Sequence, residues 1–64
     1  MTKTEAKKYG VTIGKLTTHK DSQGEYTLYE NGKGVAEGWY SDAAEMKAEY
    51  IEQKVLNTID DEAY

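Results

Sequence analysis

The chain has no cysteine, no arginine and a single histidine, and each shortage closes off a class of function. Without cysteine there is no disulfide staple, no thiolate zinc site and no redox motif, which fits a reducing compartment. His19 alone cannot build the usual histidine-rich metal sites. Arginine is the preferred residue for bidentate contacts to phosphate and guanine, so its absence counts against sequence-specific DNA reading. No apolar run approaches the length of a signal-peptide core or a membrane span. The expectation is a soluble, cytoplasmic protein with no membrane partner.

What is present is a 64-residue chain, enough for one small domain near the lower limit of unassisted folding. The formal net charge is -4, and it is unevenly spread. Residues 1–34 carry six Lys against four acids, whereas residues 35–64 carry two Lys against eight acids. An acidic second half suits a basic protein partner, and it equally suits plain solubility.

The polar stretch 1–9 reads as a flexible N-terminal arm, with one helical turn available at Thr4-Glu5-Ala6-Lys7-Lys8. Gly10 and Gly14 bracket the β-branched run Val11-Thr12-Ile13, and Lys15 to His19 continues as a first strand. Asp21-Ser22-Gln23-Gly24 is a turn by composition. Glu25 to Glu30 is the best strand in the chain, and Asn31-Gly32 after it is a strong hairpin signal. Lys33-Gly34 either lengthens that turn or adds a bulge before a third strand, Val35 to Tyr40. Asp42 or Ser41 caps a helix from Ala43 to about Ile59, with capping-box spacing at Asp42-Ala43-Ala44-Glu45. That helix would be roughly 25 Å long, and the acids of 60–64 form a tail. The fold class is therefore α+β: a three-stranded antiparallel meander packed on one C-terminal helix, β-β-β-α.

Helical periodicity gathers Ala44, Ala48, Ile51, Val55 and Ile59 into a stripe about 80° wide, the expected sheet-facing side. Glu45, Glu49 and Glu52 line a flank. Ala43, Met46 and Tyr50 form a second apolar group, which is either the edge of a broad buried face or a contact site. On the third strand, Ala36, Gly38 and Tyr40 share a face, and Gly38 suits close packing under the helix. Trp39 then points away with Val35 and Glu37. Leu28 belongs inside, so Tyr29 and Thr27 join Trp39 on the open face, with His19 or Lys20 as a neighbour. A register slip of one residue would invert these sides.

No constellation looks catalytic. Ser22 and Ser41 occupy a turn and a helix cap, and Gly32-Lys33-Gly34 lies in a hairpin with no helix directly after it. Asp60-Asp61-Glu62 lacks the spacing of a calcium loop. The Glu45, Glu49 and Glu52 flank has the look of a solvated helix face. No metal or cofactor is expected.

From Tyr26 to Tyr50 the chain runs strand, Asn-Gly-Lys hairpin, Gly-Trp-Tyr-Ser-Asp, then an Ala-rich helix. In this it resembles the plant AP2 DNA-binding domain and the related amino-terminal domains of tyrosine integrases, with Gly38, Tyr40, Ala48 and Tyr50 at comparable positions. The resemblance covers about half the chain and implies three strands on one helix. It also implies DNA binding from the sheet, but that family uses Arg and Trp there, and here only Lys15, Lys20 and Lys33 lie nearby. The size, acidity and cysteine-free composition also resemble small phage proteins, which often block a host enzyme or defence complex.

The reading that follows is a small, acidic, non-enzymatic binding protein of phage or mobile-element type, acting in the host cytoplasm on a basic or nucleic-acid-binding host protein. Its candidate contacts are Trp39, Tyr29 and Thr27 on the sheet and Glu45, Glu49, Glu52, Met46 and Tyr50 on the helix. The alternatives are a nucleic-acid module using the open sheet face and a homodimer built on the Met46–Tyr50 strip.

Overall fold

A computed structural model describes the backbone of residues 1–62 and the side chains of residues 1–59. A short helix α1 (Lys3–Lys7) leads through an irregular segment to β1 (Leu16–Lys20), β2 (Tyr26–Glu30) and β3 (Lys33–Gly38), and the chain continues into α2 (Ala43–Glu62). The strands form an antiparallel sheet in the order β1-β2-β3. The β-β-β-α architecture is thus present, with one helix added in front.

The β2–β3 connection is a two-residue turn. Asn31 (φ 54) and Gly32 (φ 84) both take the left-handed conformation that such a hairpin requires. The register then shifts: Tyr29 pairs with Gly34 but Leu28 pairs with Ala36, so Val35 is an extra residue on β3. This bulge sorts the faces. Without it the tight turn would pair Tyr26 with Glu37 and aim that carboxylate under the helix. With it, Ala36 and Gly38 share the inner face with Leu28, and Glu37 pairs with Thr27 on the outer face.

Other local signals are equally physical. The Asp21 carboxylate accepts hydrogen bonds from the Gln23 and Glu25 amides at 2.8 and 3.0 Å, which closes the β1–β2 turn. Asp42 caps α2 by accepting from the Glu45 amide at 2.8 Å, and Glu45 reaches back to the Ser41 amide at 3.1 Å. Gly38 is packed closely, but by a different neighbour from the expected helix backbone. The Tyr40 ring lies 3.1 Å from where a Cβ on Gly38 would stand.

The core consists of Ala6, Val11, Leu16, Leu28, Met46, Ile51 and Val55, with Met1, Ile13, Tyr26, Ala36, Tyr40 and Tyr50 packed around it. Three expectations change here. The segment 1–9 is a docked element with its own capping box at Thr2 and Glu5, and Ala6 is completely buried. Val11 to Ile13 is irregular yet supplies core side chains. Finally, the buried face of α2 is rotated from the expected stripe: Ala44 and Ile59 are exposed, while Met46 is 1 % exposed.

Residues Ala43, Met46, Lys47, Ala48, Tyr50, Ile51, Lys54, Val55 and Thr58 are at least partly covered, an arc of roughly 200° at 100° per residue. The reason is that α2 is packed from two sides, by the sheet and by α1. A lone helix on a sheet would need only the narrower stripe. The backbone of 60–62 is helical and continues α2, so the expected tail is shorter than drawn; residues 63–64 lie outside the described residues.

Deleting residues 1–9 removes Ala6 and Met1 from the core. In a domain of this size, stable by about 3–10 kcal/mol, the loss should be on the order of 2 kcal/mol or more. Urea denaturation of the shortened chain would read it as a lowered midpoint; an unchanged midpoint would restore the flexible-arm description.

Candidate interaction surface

Alternation along β2 sends Tyr26, Leu28 and Glu30 inward together, which places a carboxylate at the rim of the core. Glu30 is satisfied there by three donors. Its Oε2 accepts from the Gly14 amide at 2.7 Å, and its Oε1 accepts from the Tyr50 hydroxyl at 2.6 Å and from Lys54 Nζ at 3.1 Å. Tyr50 and Lys54 stand one turn apart on α2, with the ammonium 5.5 Å from the tyrosine ring centroid. Next in the chain, Asn31 accepts from the Lys15 amide through its side chain and donates to the Lys15 carbonyl through its backbone, each at 2.9 Å. A Cβ on Gly14 would collide with the Asn31 side chain, so only glycine permits this approach.

The donors set the acidity of the cluster. The Tyr50 hydroxyl, followed by the Gly14 amide, holds the Glu30 carboxyl at about 2, against an ordinary 4.5. Burial, reinforced by the hydrogen bond to Glu30, raises Tyr50; the hydrogen bond to Glu30 raises Lys54. Each shift keeps the phenol neutral and the ion pair intact through the neutral range.

The structure therefore reassigns two candidate contacts. Met46 is a core residue, and Tyr50 is a half-buried structural link whose hydroxyl is already engaged. Of the two readings of the Ala43, Met46 and Tyr50 group, the broad buried face is the one realised. On that strip Met46 is buried, and Ala43 and Tyr50 are partly covered. Sequence reasoning missed the Glu30 cluster, although a signal existed: an acid in phase with Leu28 has to find buried partners.

The remaining candidates lie on two opposite sides. Glu45, Glu49 and Glu52 are exposed along the outer side of α2, and Glu45 also serves the helix cap. Trp39, Tyr29 and Thr27 are on the far side of the sheet from α2. Trp39 follows β3 and is 65 % exposed. Its six-membered ring comes within 3.7 Å of where a Cβ on Gly24 would stand, so the indole rests against the β1–β2 turn.

Tyr29 is half-buried because its ring covers Gly34 across the strands, at 3.8 Å from the missing Cβ position. Thr27 pairs with His19 on one side and Glu37 on the other. It also helps line an open depression of about 400 Å³ with Gly34, Val35, Ala36 and Glu37. The Lys20 ammonium sits over the Tyr26 ring, 5.6 Å from the centroid, while its Cε lies 3.9 Å from where a Cβ on Gly24 would stand, next to the Trp39 ring.

Among the described residues, no group of three or more His, Asp or Glu is placed to hold a metal ion. No described helix is long and apolar enough to cross a membrane. Compared with known protein families, curated proteins and solved structures, the chain matches none.

The Glu30 cluster has a pH signature. A carboxyl lowered in the folded state stabilises the fold above its unfolded value and loses that contribution as pH falls towards about 2. A Glu30→Gln variant should be less stable than the parent at pH 7 by on the order of 1–3 kcal/mol. The difference should shrink between about pH 5 and pH 2. Urea denaturation across that range checks it; a gap that does not change with pH would mean that the carboxylate charge is not what matters. Tyr50→Phe should cost about 1.5–3 kcal/mol by the same measurement, since it removes a hydrogen bond to a charged group.

Proposed function

We propose that this chain is a small, acidic, non-enzymatic binding protein that docks a basic protein partner on the open face of its sheet, with Trp39 as the anchor. The observation that carries the proposal is the position of Trp39: the chain's only tryptophan is 65 % exposed on the face that α2 leaves uncovered. Large aromatics of this kind dominate interface energetics when a partner buries them. The depression beside Thr27 and Val35 offers room for a neighbouring partner side chain.

The net charge of -4 supports attraction of a basic surface. On this reading the outer acids Glu45, Glu49 and Glu52 act at long range, because they lie on the opposite side from the anchor. The size and charge also suit a phage or mobile-element protein that modulates or inhibits a host protein, including nucleic-acid machinery or a defence complex. The rival, a nucleic-acid module on the same sheet face, would need phosphates to approach Glu37 without any arginine to hold them.

Tagged parent and Trp39→Ala proteins, incubated with lysate of a candidate bacterial host, test the proposal. A partner captured by the parent should be lost or weakened about 30-fold with Trp39→Ala, the equivalent of about 2 kcal/mol at an anchor. Equal capture by both would remove the sheet face from the function. Single-stranded oligonucleotide binding that weakens steeply with salt would support the nucleic-acid rival instead.

A further inference from the structure

Trp39 is braced on one side and bordered by acids on its own face. Gly24 (φ +94) adds no side chain beneath the indole, and the Trp39 ring and Lys20 Cε border the position a Cβ there would take, at 3.7 and 3.9 Å. The last paired residues of β2 and β3 are Tyr26 and Gly38. Continuing the antiparallel course one residue sets Glu25 across from Trp39. Glu37 precedes Trp39 by two residues and pairs with Thr27, so all three lie on the outer face. Among the described residues, neither Glu25 nor Glu37 is in a salt bridge, and Lys20 is turned to the Tyr26 ring.

A π face between two unneutralised carboxylates selects a cation. Ammonium and guanidinium groups both respond to the ring, but a planar guanidinium can stack on it while its edge N–H groups reach flanking carboxylates. A nucleic acid would bring phosphates against the same two acids. A second copy of this chain cannot supply the guanidinium, because the chain has no arginine.

We infer that Trp39, bracketed by Glu25 and Glu37, is a receptor for an arginine side chain of a basic protein partner. This rests on the proposed use of the open sheet face and specifies what that face takes.

Because Trp39 is the only tryptophan, its fluorescence reports the site directly. The full chain is titrated at low salt with acetylated, amidated tetra-arginine and tetra-lysine peptides, and with a ten-nucleotide thymidine strand. Calorimetry is run in parallel. Tetra-arginine should perturb Trp39 emission and bind about two- to fivefold tighter than tetra-lysine, with no response to the thymidine strand. A Glu25→Gln/Glu37→Gln variant, verified as folded by its urea midpoint, should bind tetra-arginine about threefold to tenfold more weakly. Glu49→Gln/Glu52→Gln should bind within about twofold of the parent, because its charges lie beyond the sheet.

The inference is overturned by an unchanged emission, by equal binding of the two peptides, by a stronger response to the thymidine strand, or by full affinity in the Glu25/Glu37 variant. Peptide heat without an emission change, alongside Trp39-dependent capture of a partner, would overturn the arginine site and leave the wider reading standing. Loss of Trp39 dependence in capture would remove the wider reading itself.

Discussion

Glu30 joins the parts of this domain that the chain itself leaves unconnected. One carboxylate ties the irregular segment at Gly14, the end of β2 and the middle of α2 through three hydrogen bonds. Without it, α2 would be held to the sheet by a small apolar core alone, and the entry segment would lack its fastening at the hairpin. A charge at the edge of a core is destabilising unless its oxygens are satisfied. Here both are satisfied, and the lowered acidity of the carboxyl reflects the same donors. The left-handed Asn31 beside it extends the clasp, and Gly14 is the residue small enough to enter it.

The rest of the molecule is arranged by side. A single bulge at Val35 lets a two-residue turn coexist with a β3 that points Ala36 and Gly38 inward and Glu37 outward. The inner face then takes α2, and α2 in turn takes α1 on a second flank. All coverage is spent on one side of the sheet. The other side keeps Thr27, a Tyr29 ring folded over Gly34, and a Trp39 that rests on a turn while remaining mostly accessible. Separation of the helix acids from the tryptophan by the sheet makes them unequal participants in any one contact. The acid that shares the outer face in β3 is Glu37, which pairs with Thr27.

Much of the fold was legible because its signals are local. Asn31-Gly32 marks a turn through backbone sterics alone, and Asp42 with Glu45 marks a helix start through hydrogen bonds within four residues. Alternation in β2 and β3 was enough to place Leu28 inside and Trp39 outside. What could not be read were consequences of long-range packing. The second apolar group on α2 had two readings, and nothing in its own periodicity chose between them. The decision came from Ala6, forty residues earlier in sequence, through the packing of α1. Likewise Tyr50 looked like a free aromatic until Glu30 supplied its partner across a separation of 20 residues.

By itself, then, the sequence determined the element types, the hairpin, the helix cap and the sidedness of the sheet, along with the exclusion of thiol chemistry and of arginine-based recognition by this chain. These depend on backbone preference, alternation and composition, which act over a few residues or none. Tertiary structure alone decided that α1 belongs to the core, that Met46 is buried, that Tyr50 is a link and that Trp39 rests against the β1–β2 turn. Those outcomes depend on which distant surfaces meet, and a periodic pattern carries the shape of one surface without the identity of its neighbour.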